Sequence, residues 1–136
     1  MIDIQWDDKF SVGHARIDHE HQVFLDLIRN VSLADDQKAP RERILRLLTE
    51  IRKYADFHFY SEENIMIDHA YPDYEAHKRE HAMLVSSLDN RIHQYRLEED
   101  DDLGSMVEFL FQWFALHTTG SDKKLVSHIG PEAHSA

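Results

Sequence analysis

Apolar side chains recur along this chain at the roughly 3.6-residue period of an α-helix. In a first segment, Asp18 to Leu33, they fall at Phe24, Leu25, Ile28 and Val31, with Asp18 placed to cap the helix and His21 one turn inside. A second stripe begins near Pro40, a residue suited to the first helical position, and reads Ile44, Leu48, Ile51, Ala55, then His58, Glu62 and Ile65. After a turn at His69 to Pro72, the third runs from Pro72 to about Leu97 through Tyr74, His77, His81, Leu84, Leu88 and Ile92. The fourth carries Leu103, Val107, Leu110, Phe114 and His117. Gly120 then interrupts the pattern, and Lys123 to Ile129 reads as a short terminal helix ended by Gly130 and Pro131.

Helices joined by short connections pack as antiparallel neighbours. The expected fold is therefore all-α: an antiparallel up-down-up-down four-helix bundle with an N-terminal arm and a short C-terminal helix. Residues 1–130 form the expected domain, with 131–136 as a flexible tail or the start of a linker. Only four Gly and three Pro leave little turn-forming material, which favours long helices over many short strands. The acidic run Glu98 to Asp102 reads as a solvated connection into a helix N-terminus, where negative charge is welcome.

Charge and cysteine content narrow the function. The net charge of −11 repels phosphate backbones, so nucleic acid is not an expected partner. The absence of cysteine excludes disulfides, iron–sulfur clusters and thiolate zinc sites, and fits a cytoplasmic location. Met1 to Phe10 is acidic and lacks the apolar stretch of a signal peptide. No run approaches the ~20 apolar residues of a membrane span, so no membrane insertion is expected.

The informative anomaly is where ionisable residues fall. His21, His58, Glu62, His77, His81 and His117 occupy positions where the stripes should bury apolar side chains, and Asp122 follows close behind. In an up-down-up-down bundle the start of the first helix lies level with the end of the second, the start of the third and the end of the fourth. All of these residues therefore come to one level. Burying that many polar groups is costly unless something satisfies them, and a metal centre, with room for two ions, is the economical answer. Residues four apart project from one face about 6 Å apart along the axis, which pairs His58 with Glu62 and His77 with His81. The five-residue step from His117 to Asp122 would swing the carboxylate roughly 140° away on a continuous helix, so a break at Gly120 is expected to return it. Glu62 and Asp122 each offer two oxygens, one per metal. Mixed imidazole and carboxylate ligands favour iron. The remaining histidines, His14, His19, His69, His93, His128 and His134, fall off the stripes and are expected on the surface.

With these residues in hand, the chain resembles the hemerythrin family, specifically its bacterial members, from Trp6 to about Ile129. The resemblance is carried by Trp6, Val12–Gly13, Ile17–Asp18 ahead of His21, the His58-Phe59 to Glu62-Glu63 run, His77 with His81, and Trp113, His117, Asp122, Lys123 and Lys124. It implies two iron ions with an oxo or hydroxo bridge, and dioxygen as the ligand. By resemblance, His77, His81 and His117 hold one iron, His21 and His58 the other, and Glu62 and Asp122 bridge them. The second iron is then one ligand short, and dioxygen binds there. A dry pocket matters, because water and anions lead to an inert diferric form. Trp113, Thr118 and Thr119 are expected near the ligand pocket. Thr118 stands where the family commonly has a bulky aliphatic, which implies a wetter site. Glu20 and His14 also depart from the pattern and are expected not to touch the ligand set.

Reversible dioxygen binding without turnover is the leading expectation, shared by carriage, storage and sensing. A sensing input domain covalently linked to a signalling output is one alternative. A di-iron oxidase or peroxidase is another, although such enzymes use more carboxylate ligands than this chain supplies. A metal-free interaction bundle is a third. Oligomeric state is left open.

Overall fold

The computed structural model describes residues 4–97 and 103–130. Among them the elements are helices only: α1 (Ala15–Asp36), α2 (Arg41–Asp68), α3 (Tyr74–Arg96), α4 (Leu103–His117) and α5 (Lys123–Ile129), with a short 3₁₀ turn at Asp8–Phe10. Each of α1 to α4 packs on its sequence neighbour, and α1 closes the ring on α4. This is the expected four-helix bundle. No helix among the described residues is long and apolar enough to cross a membrane. The run Glu98 to Asp102, the residues 131–136 and His134 lie outside the described residues.

The stripes become the core as the period dictates. Phe24, Leu25, Ile28 and Val31 meet Ile44, Leu48, Ile51 and Ala55, and from the other side Leu84, Leu88, Val107, Leu110 and Phe114. A second, smaller cluster of Ile17, Met66, Tyr71, Leu125 and Val126 closes one end of the bundle. In sequence, the ionisable residues of α1 and α2 sit between the two clusters. His21 lies between Ile17 and Phe24, and His58 and Glu62 lie between Ala55 and Met66. Oil therefore covers the polar layer from above and below. The arm contributes Phe10, whose ring meets Phe114 edge-on at 5.2 Å, while Arg29 Nε donates to the Ile4 carbonyl at 2.7 Å.

Local expectations are corrected at two places in the chain. Asp18 does not cap α1. His14 does: its Nδ1 accepts from the Ile17 N–H at 3.3 Å, and its side chain is buried, not on the surface. Asp18 instead reaches back from the first turn, accepting from the N–H groups of Val12 (2.8 Å) and Gly13 (3.2 Å). Gly13 turns the chain there with φ of 86°, a left-handed conformation that glycine adopts without strain.

The second correction concerns Gly120. The helix does not break there. It widens into a single π-helical turn, Thr118–Asp122, that runs without interruption into α5. A π-turn pairs residues five apart, so Asp122 comes back over His117 with no break. Gly120 has ordinary helical backbone, and a Cβ added to it meets nothing within 4 Å. Gly120→Ala is thus expected to keep full metal content and to gain about 0.5 kcal/mol from the lost flexibility of the unfolded chain. Thermal melting with metal analysis checks this, and a loss of metal would show that the glycine itself matters.

Candidate metal centre

All seven residues singled out in the sequence converge. One ligand atom from each of Glu62, His77, His81, His117 and Asp122 lies within 4.8 Å of the others, and His21, His58 and Glu62 form a second such group. Glu62 belongs to both. Its two oxygens divide the imidazoles. Oε1 lies 2.6 Å from His77 Nε2 and 3.0 Å from His81 Nε2, while Oε2 faces His58 Nε2 at 3.5 Å and His21 Nε2 at 3.9 Å. Asp122 divides them in the same way. Oδ1 lies 3.0 Å from His77 and 3.1 Å from His117, and Oδ2 lies 3.0 Å from His21.

Both carboxylates are fully buried, at 0% exposure, and Glu62 Oε2 and both oxygens of Asp122 have no hydrogen-bond partner. A buried anion without donors costs several kcal/mol. Cations placed among these oxygens and the surrounding Nε2 atoms would satisfy every one of them, so the donor set fits a pair of metal ions. Without metal, protons take that place. Burial acts against a charge on His77, but Asp122 and Glu62 outweigh it and raise its pKa to about 9. His117 and His21 are raised in the same way against their burial, His21 chiefly by Asp122. Burial likewise opposes the charge on Glu62, yet the imidazoles of His117, His77 and His81 hold it well below the usual carboxylate range.

The family model for the hemerythrin HHE cation binding domain matches residues 12–129. The chain belongs to the hemerythrin family. It is 25% identical over 129 residues to the bacteriohemerythrin of Clostridium acetobutylicum, covering 89% of this chain and 97% of that one. With the bacteriohemerythrin of Stenotrophomonas maltophilia it shares 28% over 135 residues, covering 95% of this chain and 83% of that one. The myohemerythrin of Theromyzon tessulatum is 28% identical over 120 residues, 88% of each chain. A wild-type hemerythrin crystal structure is similar with a TM-score of 0.80 at 25% identity, over 88% of this chain and 92% of that one.

This hemerythrin domain holds its imidazoles with a second ring of carboxylates. Glu20 Oε1 lies 2.8 Å from His58 Nδ1, Glu63 Oε2 2.8 Å from His81 Nδ1, and Glu80 Oε1 2.9 Å from His117 Nδ1. Each acid sits on one helix and reaches a histidine on the next, from α1 to α2, α2 to α3 and α3 to α4. An ionised carboxylate only accepts hydrogen bonds, so Nδ1 must carry the proton. The lone pair is thereby fixed on Nε2, facing the centre, and the ring becomes a better donor to metal. Serines fix the acids in turn: Ser61 donates to Glu20 at 3.0 Å and Ser121 to Glu80 at 2.7 Å. The hydrogen bond to His117 leads the interactions that lower the Glu80 pKa to about 2.

The expectation that Glu20 stands apart from the ligand set is therefore wrong. The signal was present in the sequence: Glu20, Glu63 and Glu80 each adjoin a predicted ligand, and one residue of helical offset aims them at the neighbouring helix. Glu20→Ala is expected to lower metal affinity by about 10–100-fold, measured by competition with a chelator. Unchanged affinity would reduce Glu20 to a packing role.

The predicted pocket residues behave differently from one another. Trp113 stacks on His117 with ring centroids 4.4 Å apart. Thr118 is buried. Thr119 is exposed and its hydroxyl donates to the Ala115 carbonyl at 2.7 Å, so it faces away from the centre. His19, His69, His93 and His128 are exposed, as expected.

Proposed function

We propose that this domain binds dioxygen reversibly at a di-iron centre and does not turn over a substrate. His77, His81 and His117 would hold one iron and His21 and His58 the other, with Glu62 and Asp122 bridging. The observation that carries this reading is the division of both carboxylates, one oxygen of each toward the three-histidine group and the other toward the two-histidine group. The iron pair, when bound, supplies the electrons that bind dioxygen, and the two-histidine side, with fewer donors, is where the open position would lie.

The chain's own residues do the rest. Glu20, Glu63 and Glu80 hold Nε2 of His58, His81 and His117 toward the centre. The His21 ring lies against Phe114 at 5.6 Å, and the Tyr54 ring stacks over His58 at 6.4 Å and 3°, so the two-histidine side is walled by aromatic carbon that keeps water out. Carriage, storage and sensing all use this chemistry. The deciding experiment combines metal analysis with the optical spectrum of the reduced protein before and after dioxygen is admitted. About two irons per chain and a visible charge-transfer band that disappears when dioxygen is removed support the proposal. Direct passage to the diferric form, or steady peroxide consumption lost in His77→Ala, would favour an oxidase or peroxidase instead.

A further inference from the structure

Between the outer faces of α2 and α3 lies a groove of about 580 Å³, within the size range of small-molecule sites. Its floor is the buried Phe59 ring, which lies parallel to the His81 imidazole with centroids 3.9 Å apart and planes 6° apart. Its walls include Val85 and two aromatics that bundle packing leaves in water, Phe57 at 54% exposure and Tyr60 at 67%. Neither lies on the inner stripe of α2. Clustered exposed apolar side chains of this size mark a surface that binds something. Glu63 lines the same groove and accepts from His81 Nδ1. The groove is thus one side chain away from the three-histidine side of the centre.

The lining selects a ligand. Flat aromatic walls take a planar ring. Asp56 has one oxygen on Arg52 at 2.6 Å and Glu63 one on His81 Nδ1 at 2.8 Å, and the other oxygen of each carboxylate accepts hydrogen bonds and donates none, so a ligand that carries O–H groups suits the rim. With Lys78 the rim still carries more negative than positive charge, and the chain as a whole is at −11, which disfavours phosphorylated carriers. We propose that this groove binds a neutral hydroquinone, which re-reduces the metal centre through the Phe59–His81 stack. The proposal rests on the di-iron reading above. The hydroquinone gives up two electrons and two phenolic protons and leaves as the quinone. Each ferric ion takes one electron, and the two protons pass to solvent at the open side of the groove.

Tetramethylhydroquinone and its quinone are suitable probes. Binding is read on the metal-free protein by an NMR titration, and reduction is read optically on the iron-loaded protein with dithionite as the control. The double variant Phe57→Ala/Tyr60→Ala removes the walls, and Val85→Trp fills the groove. The expected result is saturable shifts at Ala82 and Val85 in the unaltered protein, lost in both variants. Hydroquinone reduction should slow by about tenfold or more in both, with dithionite reduction unchanged. No saturable binding, or equal hydroquinone rates in all three proteins, overturns the proposal. Saturable binding by a protein that retains no iron removes the di-iron reading and electron delivery with it, while the groove stands as a hydroquinone site.

Discussion

Glu62→Gln is expected to leave the protein unable to hold two metal ions. The change keeps the size of the side chain and removes its charge. It also replaces one of the two oxygens with an NH₂ group that cannot bind metal. Because Oε1 serves the three-histidine group and Oε2 the two-histidine group, either orientation of the amide removes a donor from one of them. Metal content should fall from about two ions per chain to one or none. The metal-free protein should suffer too, since Glu62 is the buried anion for imidazoles that carry protons in its absence. Breaking one partner of a buried pair costs about 3–5 kcal/mol. The lower end is expected here, because the histidines can release their protons. Metal analysis and urea unfolding at pH 6 measure both effects. Retention of two ions with normal stability would show that Glu62 does not bridge.

Metal removal is expected to reverse how stability depends on pH. In the metal-free protein, His77 has its pKa raised from 6.5 to about 9. Its contribution is complete below pH 6.5 and is lost as pH rises through about 9. Glu62 and Asp122 have lowered pKa values, so their contribution is present above the ordinary carboxylate range and is lost in acid. The metal-free protein should therefore be most stable between about pH 4.5 and 6.5 and should lose up to about 3 kcal/mol by pH 9. The metal-loaded protein behaves in the opposite sense. Its ligands must be neutral imidazoles and ionised carboxylates, so protons compete with metal and binding strengthens as pH rises. A metal present at about 1,000 times its Kd adds about 4 kcal/mol. The difference in Tm between loaded and chelator-treated protein should be small near pH 4 and exceed about 10 °C near pH 8. A constant difference across that range would mean that these histidines are not ligands.

The polar layer lies between two apolar clusters, and this explains why so short a chain can bury it. The long core below supplies the stability, while Ile17, Met66, Tyr71, Leu125 and Val126 close the end above. The terminal helix α5, which carries two of those five residues, acts as a lid on the bundle end. Its place is set by the π-turn that returns Asp122 to the site.

The bundle, its four long helices and the convergence of His21, His58, Glu62, His77, His81, His117 and Asp122 were legible in the sequence. Helical period and chain reversal fix which residues share a face and a level, whatever the details of packing. Hydrogen bonds between helices were not legible. Glu20 read as a harmless departure because its partner, His58, is 38 positions away and meets it only when α1 packs on α2. His14 read as a surface histidine because periodicity does not reveal that a loop imidazole turns inward to cap a helix. Asp122 read as needing a broken helix because an α-helical period was assumed through a turn that follows a π-helical one. The sequence by itself determined which side chains meet in the buried polar cluster, since that follows from local periodicity. Only the tertiary structure decided how they are held there, since each Nδ1 hydrogen bond and the division of the carboxylate oxygens depend on distances between helices.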